Sequence, residues 1–391
     1  MVDFQPTDEQ QLIRETVASF AREQIRPAAR DADEAGQIPS TLVQQAWELG
    51  LVQSTIPEAF GGAGEIPSAI TGALVCEELG WGDLSVALHL LAPWLVTQPV
   101  LALGSEEQKQ HVLPTYVSEA FVAGTAAVME PRFSFDVNEL ATTATRHNDE
   151  FVLNGAKCFV PLAADAKHIA VYARGEDGTG AFLVSQGNPG LMISTQEKNM
   201  GLKAVATYEL TLENCHVPAM ARLIGNLSPL LNRSRVALAS LAVGVARAAF
   251  EYARDYAKER RAFGTAIAQK QAIAFMLAEM ATEIDAARLL TWEAAWKIDA
   301  GQDTPVGSLS AATREACLAK NYAASMVLKV TDNAVQILGG HGYIRDHPVE
   351  LWLRNGRGFA TFEGLAIVST GIWLAHCVRS MAYGSLVALI L

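Results

Sequence analysis

IAQKQAIAFMLAEMATEIDAARLLTWEAAWKIDA, residues 267–300, decides the architecture. Ile273, Met276, Leu277, Met280, Ile284, Ala287 and Leu290 recur at spacings of three and four and form one apolar stripe. The pairs Asp285/Arg288 and Glu293/Lys297 lie off that stripe. This is the pattern of a long amphipathic helix with one buried face and i,i+3 or i,i+4 ion pairs on the other. The segment before it, Arg235 to about Arg260, is rich in small residues that permit close helix contact. The segment after it, Leu309 to Leu338, is a further helical run beyond a loop holding Gly301, Pro305 and Gly307. Long helices joined by short connections predict an up-down bundle over residues 228–391.

Upstream of the bundle the texture changes. Between residues 123 and 227 short runs of β-formers alternate with turn residues: Glu150 to Leu153 before Asn154-Gly155, His168 to Ala173, Ala181 to Val184, and Tyr208 to Leu212. These predict a small antiparallel barrel or sandwich. Residues 1–122 are helical again. Thr7 with Gln10 has the form of a capping box opening a helix that is expected to end near Pro27, and a second helix runs from Ser40 to a Gly50 stop. Further helices are expected over 68–79, 84–92 and 105–118. The loop Ile56 to Gly64 offers Gly62-x-Gly64, but Pro67 stands at the third glycine position and no buried strand precedes it, so a dinucleotide fingerprint is not expected there. The predicted fold class is therefore α+β: an N-terminal helical domain, a middle antiparallel β domain and a C-terminal four-helix bundle.

Composition narrows the function classes. The 391 residues are 50% hydrophobic and 18% charged, so an unusual share of the chain is interior or subunit interface. The formal charge of −12 comes without any block of Lys or Arg, which argues against nucleic acid and anionic membrane as partners. Five scattered cysteines without a CxxC pair, and an N-terminus lacking a basic region followed by an apolar run, lead to a cytoplasmic expectation. The apolar stretch Leu84 to Leu103 is interrupted by His89, Pro93, Gln98 and Pro99 and does not read as a bilayer span. No pair of the eight histidines has metal-site spacing, and no metal is expected.

Four segments carry the chemistry: Glu259-Arg260-Arg261-Ala262-Phe263-Gly264, the helix from Gln271 to Arg288, Ala334-Val335-Gln336-Ile337-Leu338-Gly339-Gly340-His341-Gly342-Tyr343, and Thr361-Phe362-Glu363-Gly364. In order and spacing they resemble the acyl-CoA dehydrogenase family. Ile56-Pro57 with Gly61-Gly62, Met129-Glu130-Pro131, Asn154-Gly155 with Lys157, and His216-Val217-Pro218 extend the resemblance upstream.

The resemblance implies FAD bound between the β domain and the bundle, a homotetramer or dimer in which a neighbouring copy completes each flavin site, an acyl-CoA or acyl-carrier-protein thioester as substrate, and an electron-transfer protein as acceptor. It places Arg260 and Phe263, with Gln336, Gly339 and Gly340, on the FAD pyrophosphate and adenosine. A guanidinium suits a diphosphate, and glycine admits close backbone approach. Met129 and Phe159 fall beside the flavin ring. Glu363 falls on the catalytic base, which removes the proton next to the thioester carbonyl while a hydride leaves the β carbon. Arg235 and Asn232, with Ser134 and Phe135, fall on the substrate side, where Phe135 is expected to narrow the site mouth.

The chain also departs from the family. Met129 stands where a threonine is common, Phe159-Val160-Pro161-Leu162 replaces Trp-Ile-Thr-Asn, and Leu365 follows Glu363-Gly364 in place of threonine. Two hydroxyls expected on the flavin are thus apolar here. The departures leave open an unusual or carrier-bound acyl group, or a non-catalytic partner subunit of a hetero-oligomeric dehydrogenase.

Overall fold

The computed structural model describes residues 5–64, 68–133, 135–303 and 310–362. Its first helix, α1 (Asp8–Phe20), opens on the expected capping box: the Gln10 amide donates to Thr7 Oγ1 at 3.2 Å and the Thr7 amide to Gln10 Oε1 at 3.0 Å. The helix does not end near Pro27. A π-helical turn at Ala21–Ile25 carries it into α2 (Arg26–Ala35), where Pro27 sits in the first turn. The wider π turn has already broken the i→i−4 ladder, so the missing proline N–H costs little there.

The N-terminal block continues with α3 (Ser40–Trp47), α4 (Ala69–Gly82), α5 (Leu84–Leu91), α6 (Trp94–Leu103) and α7 (Glu106–Val112). Between α5 and α6 the chain bends by 40° at Ala92-Pro93, which divides the apolar run into two helices. Gly62 and Gly64 of the loop before α4 admit no side chain: a Cβ would lie 1.9 Å from the Ile56 carbonyl oxygen at Gly62 and 1.4 Å from that of Ser54 at Gly64. These glycines serve a tight local turn.

Eight strands follow: β1 (Gly124–Ala127), β2 (Thr143–His147), β3 (Glu150–Pro161), β4 (His168–Gly175), β5 (Gly178–Ser185), β6 (Leu191–Ile193), β7 (Thr207–Pro218) and β8 (Arg222–Leu223). They run in the order β6-β7-β3-β2-β4-β5-β8, with β1 beside β4. Most pairings are antiparallel as expected; β1 and β2 meet β4 in parallel. One face buries Phe151, Leu153, Val160, Ile169, Val171 and Phe182. The other packs Ala170, Tyr172 and Ala181 against Val96 and Val100 of α6.

Three long helices then form the bundle: α8 (Ser228–Glu259), α9 (Gln271–Asp299) and α10 (Ala311–Leu338). A two-strand ribbon, β9 (Arg261–Ala262) with β10 (Thr265–Ala266), joins α8 to α9. After α10 come the short α11 (Gly340–Tyr343) and α12 (Val349–Gly356). The remainder of the expected bundle, residues 363–391, lies outside the described residues. By length and composition α8 could cross a membrane, but 67% of its apolar window is buried inside the protein, where it packs on α4, α9 and α10. Glu77 and Glu78, buried on α4, tie these helices together: Arg247 of α8 meets Glu77 at 2.8 Å, and Arg288 of α9 meets it at 3.1 Å.

Candidate active site

Up-down connectivity makes α8 and α10 point the same way, so their C-terminal ends meet at one end of the bundle. Tyr256 of α8 is 2.8 Å from His341 Nδ1, and Tyr252 is 2.7 Å from His347 Nδ1. The two imidazoles stack with centroids 5.3 Å apart. Arg260, Phe263, Gln336, Gly339 and Gly340 therefore share one end, and all five are exposed. Phe263-Gly264 is the two-residue turn between β9 and β10, both residues with positive φ (52° and 84°), and it leaves the Phe263 ring 95% exposed. Gly339 has φ +58°, ψ −129°, a conformation that requires glycine.

The second group lies in the β domain. The Cys158 amide donates to the Met129 carbonyl at 3.0 Å, which sets Met129 beside Phe159. Phe159 has φ +53° and is 40% exposed. Its amide donates to Glu197 Oε1 at 3.4 Å. Next to it Lys157, wholly buried, donates to the Val128 carbonyl at 3.0 Å and to Glu130 at 3.1 Å. Glu130 also accepts from the Ala141 and Thr142 amides, both at 2.8 Å. Burial alone raises a carboxylate's pKa, but here the two amides and the Lys157 ammonium outweigh it and hold Glu130 down to about 2. Burial pulls Lys157 down to about 8 against the attraction of Glu130. Glu130, Lys157 and Glu197 are absent from the candidate set read from the sequence. A buried Lys–Glu pair 27 residues apart leaves no local signal, apart from both residues lying in quoted motifs.

The described substrate-side residues are enclosed. Asn232 and Arg235 lie about one turn apart on α8, 0% and 3% exposed. The Asn232 amide donates to Asp303 at 2.8 Å and to Thr313 at 2.9 Å. Phe135, expected at the mouth, is 3% exposed and packs in the core with Val137, Leu140 and Tyr172. A phenyl ring gains more from that apolar face than from solvent. Ser134 and Glu363 lie outside the described residues.

The donor set fits an aromatic, anionic dinucleotide. The β domain supplies an aromatic face at Phe159. The bundle end supplies the Arg260 guanidinium, the Gln336 amide, and two glycines at which an added Cβ would meet nothing within 4 Å. Among the described residues no hydrogen bond or ion pair joins the two groups.

Comparison with known proteins agrees. Three family models match in sequence order: acyl-CoA dehydrogenase N-terminal domain over residues 7–120, middle domain over 125–215 and C-terminal domain over 227–374. An acyl-CoA dehydrogenase of Bacillus subtilis (strain 168) is 35% identical over 371 residues, covering 92% of this chain and 95% of the relative. The three-dimensional structure of butyryl-CoA dehydrogenase from Megasphaera elsdenii superposes with a TM-score of 0.86 at 30% identity, over 96% of this chain and all of that one. A glutaryl-CoA dehydrogenase from Mycobacterium smegmatis in complex with FADH2 superposes with a TM-score of 0.85 at 26% identity, over 96% and 95%.

Proposed function

This chain belongs to the acyl-CoA dehydrogenase family, and from that premise we propose the part that its own residues play. It is a FAD-dependent oxidoreductase that acts on the CH–CH bond of an acyl-CoA thioester. The observation that carries this reading is the ordered match of all three domains, over residues 7–120, 125–215 and 227–374.

Glu363 takes the proton next to the thioester carbonyl, and the product is the trans-2-enoyl thioester. Bound FAD supplies the hydride acceptor. Phe159 and the backbone at Met129 meet the flavin ring system. Arg260 neutralises the diphosphate, Phe263 flanks it, and Gln336, Gly339 and Gly340 receive the adenosine half through an amide and bare backbone. Arg235 and Asn232, enclosed on α8, border the thioester end of the substrate with Ser134, and Phe135 backs that region from the core. A closed, water-poor acyl site would raise the basicity of a carboxylate toward a weakly acidic C–H.

Among the described residues no hydrogen bond or ion pair joins the two cofactor-facing groups, and the bundle-end group is open to solvent. Both features support a homotetramer or dimer in which a second copy's bundle end completes each flavin site. An electron-transfer protein then removes the electrons. The buried free thiols Cys76, Cys158 and Cys215 accord with the reducing cytoplasm. The domains are assigned as 1–122, 123–227 and 228–391.

The test is optical. Purified protein is expected to be yellow, and anaerobic acyl-CoA is expected to bleach the flavin in the wild type but not in Glu363→Gln. A colourless protein that fails to take up added FAD would overturn the reading.

A further inference from the structure

Strand β3 is irregular where its chemistry begins. Its ladder to β7 shifts register between Lys157 and Val160, so Cys158 and Phe159 form a bulge that turns away from β7. The Cys158 amide pairs instead with the Met129 carbonyl. Phe159 lies in the left-handed region at φ +53°, a conformation that a bulky aromatic residue adopts only when its surroundings impose it. Bulges of this kind re-aim a side chain. Here the re-aimed ring is 40% exposed on a strand whose neighbours Cys158 and Val160 are buried.

What imposes the bulge is visible on both sides of it. On one side is the buried Lys157 ammonium, held at 3.0 Å by the Val128 carbonyl and at 3.1 Å by Glu130, whose carboxylate is itself fixed by the Ala141 and Thr142 amides. Loop 128–130 is thereby pinned to β3 immediately before the bulge. On the other side Glu197 accepts from the Phe159 amide. A fully buried ion pair is weak as a source of net stability, because desolvating two charges offsets their attraction; its usual worth is in fixing one geometry over others. Neither Lys157 nor Glu130 can reach solvent, so the pair acts through the backbone that it holds.

We propose that Lys157 is a positioning residue: paired with Glu130, it locks the Cys158–Phe159 bulge so that the Phe159 ring presents its face to the flavin ring system. The inference rests on the proposed reading that Phe159 meets the flavin. It deepens that reading by assigning the cause of the ring's orientation to a side chain that never touches the cofactor.

The experiment uses the full chain purified with FAD. Phe159→Ala, Lys157→Met and the double variant Lys157→Met/Glu130→Gln are compared with wild type for FAD retained per chain, quenching of bound-flavin fluorescence and the shape of the flavin absorption bands. The double variant removes both charges of the Lys157–Glu130 pair together, so neither of the two is left buried without the other, and far-UV circular dichroism selects folded samples. Phe159→Ala is expected to shift the flavin absorption bands, because water replaces the ring against the flavin. The folded double variant is expected to reproduce that shift with Phe159 intact and to hold FAD at least tenfold more weakly. If Phe159→Ala changes the flavin signals and the folded double variant leaves them at wild-type values, the positioning role is overturned. If Phe159→Ala itself leaves them unchanged, the reading that this ring meets the flavin fails, and the positioning role fails with it.

Discussion

Gly244 of α8 lies against the Glu77 carbonyl of α4 so closely that a Cβ at Gly244 would sit 2.1 Å from that oxygen. Gly80 of α4 makes the reciprocal approach, where a Cβ would lie 2.6 Å from the Leu241 carbonyl. Two helices meeting backbone to backbone cannot yield without moving apart. Gly244→Ala is therefore expected to destabilise the protein by about 1–3 kcal/mol, the cost of overpacking. Gly72→Ala, on the same α4 where an added Cβ meets nothing within 4 Å, should be neutral or stabilising. Chemical denaturation of both variants checks this; equal effects would remove the close-approach explanation.

Asp299 at the end of α9 caps the start of α4, accepting from the Ser68 hydroxyl and the Ala69 amide, both at 2.7 Å, and from the Ile70 amide at 3.1 Å. Losing a cap of this type costs about 1–2 kcal/mol. Asp299→Ala should lower the melting temperature, while Asp299→Asn, which keeps an acceptor, should recover most of the loss.

His89 stacks on Phe121 with centroids 5.2 Å apart, and burial holds its pKa down to about 4. The folded value lies below the ordinary 6.5. Between pH 6.5 and 4 the unfolded chain binds a proton there that the folded chain does not, so this residue's contribution to stability falls as the pH drops through that window. His89→Phe keeps a ring against Phe121 and removes the titration. The melting temperature of the variant relative to wild type should rise on going from pH 7 to pH 4.5; a difference independent of pH would refute the assignment.

Arg260, exposed at the end of α8, has no counter-charge within ion-pair distance among the described residues, and is proposed to meet the cofactor diphosphate. Arg260→Ala should weaken FAD binding roughly tenfold to a hundredfold, as expected for one charge-assisted hydrogen bond of about 1.5–3 kcal/mol. It should also flatten the salt dependence of binding. Fluorescence titration of apoprotein with FAD at two ionic strengths measures both, and unchanged affinity would exclude the role.

Features encoded in contiguous residues were legible in the sequence. The Thr7–Gln10 capping box, the stripe on α9, the small residues of α8 and the four longer strands all rest on local hydrogen bonds or a simple period. The π turn at Ala21–Ile25 was not legible, because the packing of α1 and α2 against α4 decides where the helix widens. Helix α6 was hidden by Pro93 and Pro99 within an apolar run. Strands β1, β2, β6 and β8 are only two to five residues long, too short to show a period. Phe135 had been expected at an opening, but nothing in Ser134-Phe135-Asp136 says that Tyr172 and Leu140 wait to enclose it.

By itself, then, the sequence determined the order of helical, β and helical regions, the family, and which residue types could meet a flavin, a diphosphate and a thioester. These properties belong to each segment alone, set by side-chain period and by the chemistry of guanidinium, glycine and carboxylate. Tertiary structure decided where those segments arrive. It brought the ends of α8 and α10 to one side of the bundle, and it shut Asn232 and Arg235 inside. It also set Met129 against Cys158 and bent Phe159 out of its strand through a lysine and a glutamate 27 residues apart. Such pairings depend on how buried charges and backbone groups across the chain satisfy one another once water is excluded, and no local pattern encodes that.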